Sequence, residues 1–222
     1  MNEHLPILKR VGKALIIVGL VDIGVMIYCI ANGISYSSSF NIFAVIAGFF
    51  LLRGSLRAAT IVTWFAALFV VMLVGLPLAY PFVQPLELTW LQMRLYPGTF
   101  AMSAAMWAFV VGLLYWVLTE LRRKPVLVAR EQAGKKAGSL RMPLALGGLV
   151  LIVLAIAIPK GLESETGHLA KTKAMEQFGP GYKYVVSGLH ISASQQGKFV
   201  SAMVTAYNDK EIRLVPVEWS EK

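Results

Sequence analysis

Asp22 is the residue in this sequence best placed to do chemistry. It sits in the middle of the apolar run Ala14 to Ala31, between Gly19 and Gly24, with no basic residue at its depth. A charged group at the centre of a bilayer costs about 2.5–3.5 kcal/mol on insertion scales, so an aspartate there is expected to face protein with a partner. Two readings follow. Asp22 either relays protons or cations, or touches a substrate; or it ties its helix to a neighbour through a hydroxyl such as Thr60, Thr63 or Ser103.

The other chemistry-bearing residues are scattered. His4, His168 and His190 all lie outside the apolar runs, so none is placed for axial haem ligation within a bilayer. Their spacing suits surface residues better than metal ligands. Glu163, Glu165 and Glu176 form a loose acidic group, which reads as solvated charge before it reads as a weak cation site. There is no GxxxxGK[ST], HExxH, CxxC or GxSxG pattern. Cys29 is the lone cysteine, so no intrachain disulfide is available. No catalytic residue, cofactor or metal is assigned from the sequence.

The elements that must position these residues are dominated by lipid-compatible runs. The chain is 57% hydrophobic and 15% charged, against roughly 25% charged for a soluble domain. Five apolar segments are read as spans: 14–31, 36–52, 58–79, 98–119 and 143–159. Each approaches the ~20 residues that cross a hydrocarbon core, the second only if it starts near Tyr36. The first is too long for a signal-peptide core and lacks a small-x-small cleavage site, so it is read as retained. Prolines 77, 81, 85 and 97 are expected to discourage helix on either side of Leu86–Leu95, a short amphipathic segment suited to the headgroup layer as a connector or a lid.

Charge then sets orientation. The net charge is +9, with +8 of it in residues 1–159 and +1 beyond. Loops that would lie inside carry twelve Lys and Arg residues, and those that would lie outside carry one, Arg94. This predicts a cytoplasmic N-terminus and, after five spans, an extracytoplasmic tail at the inner membrane. Tyr36, Tyr80, Trp90 and Tyr96 fall where the outer interface should be, and Tyr115 and Trp116 at the inner one. Confinement of the excess charge to short loops argues against a nucleic-acid partner. In the basic loop 121–142, Arg122, Arg123, Lys124, Lys135 and Lys136 are candidate contacts for anionic lipid headgroups, with a cytoplasmic protein as the other reading. Small residues at four-residue spacing mark candidate helix-packing faces: Ala44 with Gly48, and Ala104, Ala108 and Gly112. They would serve packing within the bundle or in a homo-oligomer.

After a polar linker at 160–166, residues 167–222 read as a soluble α+β domain. A helix over 168–178, capped by Ser164 or Thr166 and stopped at Gly179-Pro180, precedes strands at 182–191, 198–207 and 211–219. Phe178, Val204, Val217 and Trp219 are expected in its core, and Pro216 assigns the last strand to an edge. The fold class is thus an α-helical integral membrane bundle of five spans plus a helix and a three-stranded antiparallel meander. In that arrangement alone, without a shared motif, the tail resembles the small domains of respiratory-complex assembly factors of the cytochrome oxidase assembly type. About 60 residues bury only a marginal core, so contact with the bundle, with a membrane or periplasmic protein, or with another copy is expected to support it. The functional expectation is a non-enzymatic accessory, assembly or regulatory protein; the other reading is a small oligomeric transporter or channel-like component built on Asp22.

Overall fold

The computed structural model describes residues 3–34, 36, 40–134, 139–194 and 197–221. The elements run α1 (His4–Ala31), α2 (Phe40–Leu52), α3 (Leu56–Val83), α4 (Leu86–Leu95), α5 (Pro97–Leu121), α6 (Lys124–Gln132), α7 (Arg141–Leu162), α8 (Glu165–Phe178), β1 (Lys183–Ser194), β2 (Gly197–Tyr207) and β3 (Ile212–Glu221). Among the described residues, four helices, α1, α3, α5 and α7, are long and apolar enough to cross a membrane. At 13 residues, α2 spans about 20 Å, short of a ~30 Å hydrocarbon core. Its expected start near Tyr36 falls in a stretch where residues 37–39 lie outside the described ones.

The chain divides into two compact units, Met1–Val71 with Phe109–Gly147, and Met72–Ala108 with Gly148–Lys222. In the first, α1 and α2 form an antiparallel pair. A Cβ on Gly12 would meet the Gly48 carbonyl oxygen at 2.7 Å, and one on Gly48 would meet that of Gly12 at 2.7 Å. The two glycines are what lets the backbones touch. Leu8, Val11, Leu51, Ala59, Val117, Leu121 and Val126 are fully buried in this unit. They gather where α1 begins, α2 ends and α5 ends, beside Lys9 and Arg10 of α1 and the Arg53 and Arg122 that follow α2 and α5 in the chain.

Two expectations need correction. Pro77 and Pro81 do not end α3, which runs through both to Val83. Each removes one backbone donor, and the intact turns around it hold the helix. The loop 121–142 is also not all loop: Lys124–Gln132 is a helix, started by Pro125 in its first turn.

In the second unit the sheet is antiparallel with order β1-β2-β3. Ser164 caps α8, its hydroxyl accepting from the Gly167 amide at 3.4 Å, and Gly179 ends it at φ 77°. Ala170 and Ala174, one turn apart on α8, pack on Val186, Ala202, Val204, Ala206, Val215 and Val217, with Leu162, Leu189 and Trp219 around them. Short side chains on both sides let the helix lie close on the sheet. Phe178, expected in this core, is 37% exposed instead. It is the last residue of α8, where the chain turns at Gly179. The ladder between β1 and β2 slips at Ser187, between Val186 and Gly188, a bulge not foreseen from the sequence.

Candidate functional site

The sheet has two unlike faces. Alternation puts Val200, Ala202, Val204 and Ala206 of β2 under α8 and turns Phe199, Ser201, Met203, Thr205 and Tyr207 to the other side. That second face is itself divided. Thr205 and Tyr207 are buried, whereas Phe199 is 46% exposed, Met203 40% and Leu214 66%. Met203 pairs with Gly188 on one side and Pro216 on the other, and Leu214 pairs with Thr205. Because Gly188 has no side chain, Met203 stands beside a bare stretch of β1. Leu214, Pro216 and Met203 therefore form a contiguous apolar patch, with Phe199 on the same face two pairs further along. Polar contacts edge it: Ser187 Oγ donates to the Met203 carbonyl at 3.0 Å, and Ser201 Oγ donates to Glu218 at 3.4 Å.

At the other end of the sheet a cleft of about 790 Å³ opens between α4 and the turns that flank β1 and β2. Glu87, Trp90, Leu91 and Arg94 form the α4 wall; Tyr182, Lys183, Tyr207 and Asp209 form the opposite one. Lys183 Nζ donates to Glu87 Oε2 at 2.5 Å across it. That hydrogen bond, and the carboxylate's charge, hold the Lys183 ammonium above its ordinary pKa. Burial, and then Glu87, push the Tyr207 phenol up as well. The floor is tied by Tyr182, whose hydroxyl donates to Glu211, while Arg213 Nη2 donates to the same carboxylate at 2.9 Å. The Tyr182 bond and then Arg213 hold Glu211 below the ordinary carboxylate value.

In the first unit, Asp22 accepts a hydrogen bond from the Tyr36 hydroxyl. It is half-buried. Of the hydroxyls named from the sequence, Thr60 donates to the Leu56 carbonyl at 3.0 Å and Thr63 to that of Ala59 at 2.6 Å. Ser103 is exposed. Sequence spacing pointed to other helices, whereas Tyr36 belongs to the segment that returns the chain to α2.

The same unit contains a site the sequence did not reveal. Arg130, on α6, is 2% exposed, and its Nη2 donates to Thr63 Oγ1 at 2.9 Å. Its Nε is buried without a partner among the described residues. Burial, and then neighbouring Arg122, depress its pKa. Glu120 is 3% exposed and accepts from Arg123 Nη2 at 2.6 Å through Oε1, and its Oε2 is buried without a partner among the described residues. In a loop of seven basic residues, Arg130 is the one with apolar neighbours on its own helix face, Val126 and Leu127; that was the available signal.

The remaining candidates separate. Ala44 is buried and Gly48 makes the contact with Gly12. Ala104, Ala108 and Gly112 are exposed, and a Cβ on Gly112 would meet nothing within 4 Å. Arg122, Arg123 and Lys124 are exposed, while Lys135 and Lys136 lie outside the described residues. His168 and His190 are exposed, and no cluster of three His, Cys, Asp or Glu side chains occurs among the described residues.

Neither a protein-family model, nor a curated protein, nor a solved structure matches this chain.

Proposed function

We propose that this chain is a non-enzymatic accessory, assembly or regulatory protein of the cytoplasmic membrane, whose C-terminal domain binds a protein partner through the open face of its sheet. The observation that carries this reading is the patch of Met203, Leu214 and Pro216, which neither α8 nor α4 covers. An exposed apolar patch on a sheet is a common basis for protein association. The edge strand β3 beside it offers backbone groups for strand addition.

The membrane placement that goes with it has five crossings, a cytoplasmic N-terminus and an extracytoplasmic tail. The twelve-to-one bias of Lys and Arg supports that orientation, and α2 must then take part in the second crossing. A photo-crosslinking residue at Met203 should give one discrete adduct in intact cells, lost in Leu214→Glu, with none from His168 on α8. Adducts of equal yield from both sides of the domain would end this reading.

One observation favours a second reading, an oligomeric transporter or channel-like component: Asp22, on the apolar helix α1, accepts a hydrogen bond from Tyr36. Asp22→Asn keeps the size and hydrogen bonding and removes the charge, whereas Asp22→Leu removes both. A relay requires Asn to give full yield with loss of complementation. A structural tie requires Asn to behave as wild type and Leu to lower the yield.

A further inference from the structure

We propose that the cleft between α4 and the sheet binds the headgroup of a phospholipid bearing a primary ammonium, with the phosphate on Arg94 and Lys183 and the ammonium on Glu87 and Asp209. Position is the first argument. The helix α4 joins α3 to α5, both long and apolar enough to cross a membrane, through Pro85 on one side and Tyr96-Pro97 on the other. A ten-residue helix between two crossings lies in the headgroup layer. Its Trp90, 67% exposed, lines the cleft and suits that depth. The solute present there at the highest concentration is phospholipid.

Charge is the second argument. The walls carry two cations, Arg94 and Lys183, and two carboxylates, Glu87 and Asp209. An anionic headgroup would meet both carboxylates, and a free cation both basic groups; a headgroup with both charges is complementary to all four. The carboxylates are acceptors, which a primary ammonium with three N–H donors satisfies and a quaternary ammonium does not. The aromatic rings of Trp90, Tyr182 and Tyr207 leave apolar surface for the glycerol backbone. A volume of about 790 Å³ lies within the usual range for small-ligand sites. Lys183 and Glu87 pair with each other across the cleft, and the bound zwitterion replaces that pair with one partner for each.

The proposal rests on α3 and α5 crossing the bilayer, and opposite accessibility of cysteines placed at Arg57 and Gln84, and at Gly98 and Arg122, to a membrane-impermeant thiol reagent tests that point separately. The cleft itself is tested by thermal unfolding of the full chain in detergent with added short-chain phosphatidylethanolamine, phosphatidylcholine or phosphatidylglycerol. The ethanolamine lipid should raise the midpoint by about 4 °C, a shift that ligand linkage gives at modest excess over Kd. The other two should give less than half of it. Arg94→Gln with Asp209→Asn should keep the lipid-free midpoint and lose the shift. If that double variant unfolds early, Trp90→Ala on the exposed rim should weaken the response at least threefold. Equal shifts from the three lipids, or a shift kept in the variants, would overturn the assignment. A full shift from soluble glycerophosphoethanolamine would overturn the lipid as the source and leave the free headgroup as ligand.

Discussion

Arg130 and Thr63, 67 positions apart in sequence, meet inside the first unit: the guanidinium donates to the threonine oxygen at 2.9 Å while that hydroxyl donates to the Ala59 carbonyl at 2.6 Å. The threonine thus relays a backbone acceptor to a buried cation that has no bonded carboxylate among the described residues. The two partners are therefore expected to respond with opposite sign. Thr63→Val strands the guanidinium and should lower stability by about 1–3 kcal/mol. Arg130→Met removes the desolvated charge, keeps much of the volume and should be neutral or stabilising. Thermal unfolding of both variants in the same detergent checks this; a larger loss for Arg130→Met would mean that the cation is compensated.

The α1–α2 contact predicts an equally sharp contrast. Gly48→Ala puts a methyl group 2.7 Å from the Gly12 carbonyl oxygen and from an Ile16 side-chain carbon, and the resulting backbone shift should cost about 1–3 kcal/mol. Gly112→Ala enters open space and should be neutral or slightly stabilising, since alanine favours helix. Equal effects at the two positions would show that α1 and α2 do not pack at Gly48.

For orientation, alkaline phosphatase fused after Lys222 should be active and a cytoplasmic reporter at the same place silent. The informative element is α2, whose 13 residues make it the crossing most open to challenge. An active cytoplasmic reporter would remove that crossing and put the tail inside.

Acid should loosen the tail through Glu211. Its folded pKa lies below the ordinary 4.5 because Tyr182 and Arg213 bond the ionised form. The stabilisation is therefore present above about pH 4.5 and is lost as pH falls through the lower, folded value. Near-ultraviolet dichroism of the full chain between pH 6 and 3 should show this acid-side loss, and Glu211→Gln should flatten it. Lys183 works in the opposite direction. Its pKa is raised by Glu87, so its contribution is present below pH 10.5 and fades as pH rises through the folded value.

Legibility followed the physics of each segment. Leu86–Leu95 was readable to the residue because Pro85 and Pro97 bracket an amphipathic ten-mer. The last two strands were readable because small and branched apolar residues alternate with polar ones. The helix α6 was not: seven basic residues within 22 positions mimic a solvated loop, and only the packing of Val126 and Arg130 against other helices makes it helical. Asp22 was found by the cost of charge in lipid, but its bond to Tyr36 was not, because Tyr36 lies beyond the end of α1 and no periodicity along that helix reaches it. The cleft was invisible for a similar reason. Its carboxylate and ammonium, Glu87 and Lys183, are 96 positions apart, and only the folded chain brings them together.

The slip at Ser187 has a reading-frame consequence for β1. Before it, the even positions Tyr184 and Val186 point toward α8; after it, the odd positions Leu189 and Ile191 pair with Ala202 and Val200 and take over that role. One strand is thus written in two parities, joined by a single uncounted residue. The first half supplies Lys183 to the cleft, and the second supplies Gly188 and His190 to the open face. Deleting Ser187 would fuse the parities into an unbroken ladder, whereas deleting a residue from the paired stretch Leu189–Ile191 would break the alternation that turns them toward α8. A one-residue deletion in the second half of β1 should therefore be tolerated only at the bulge.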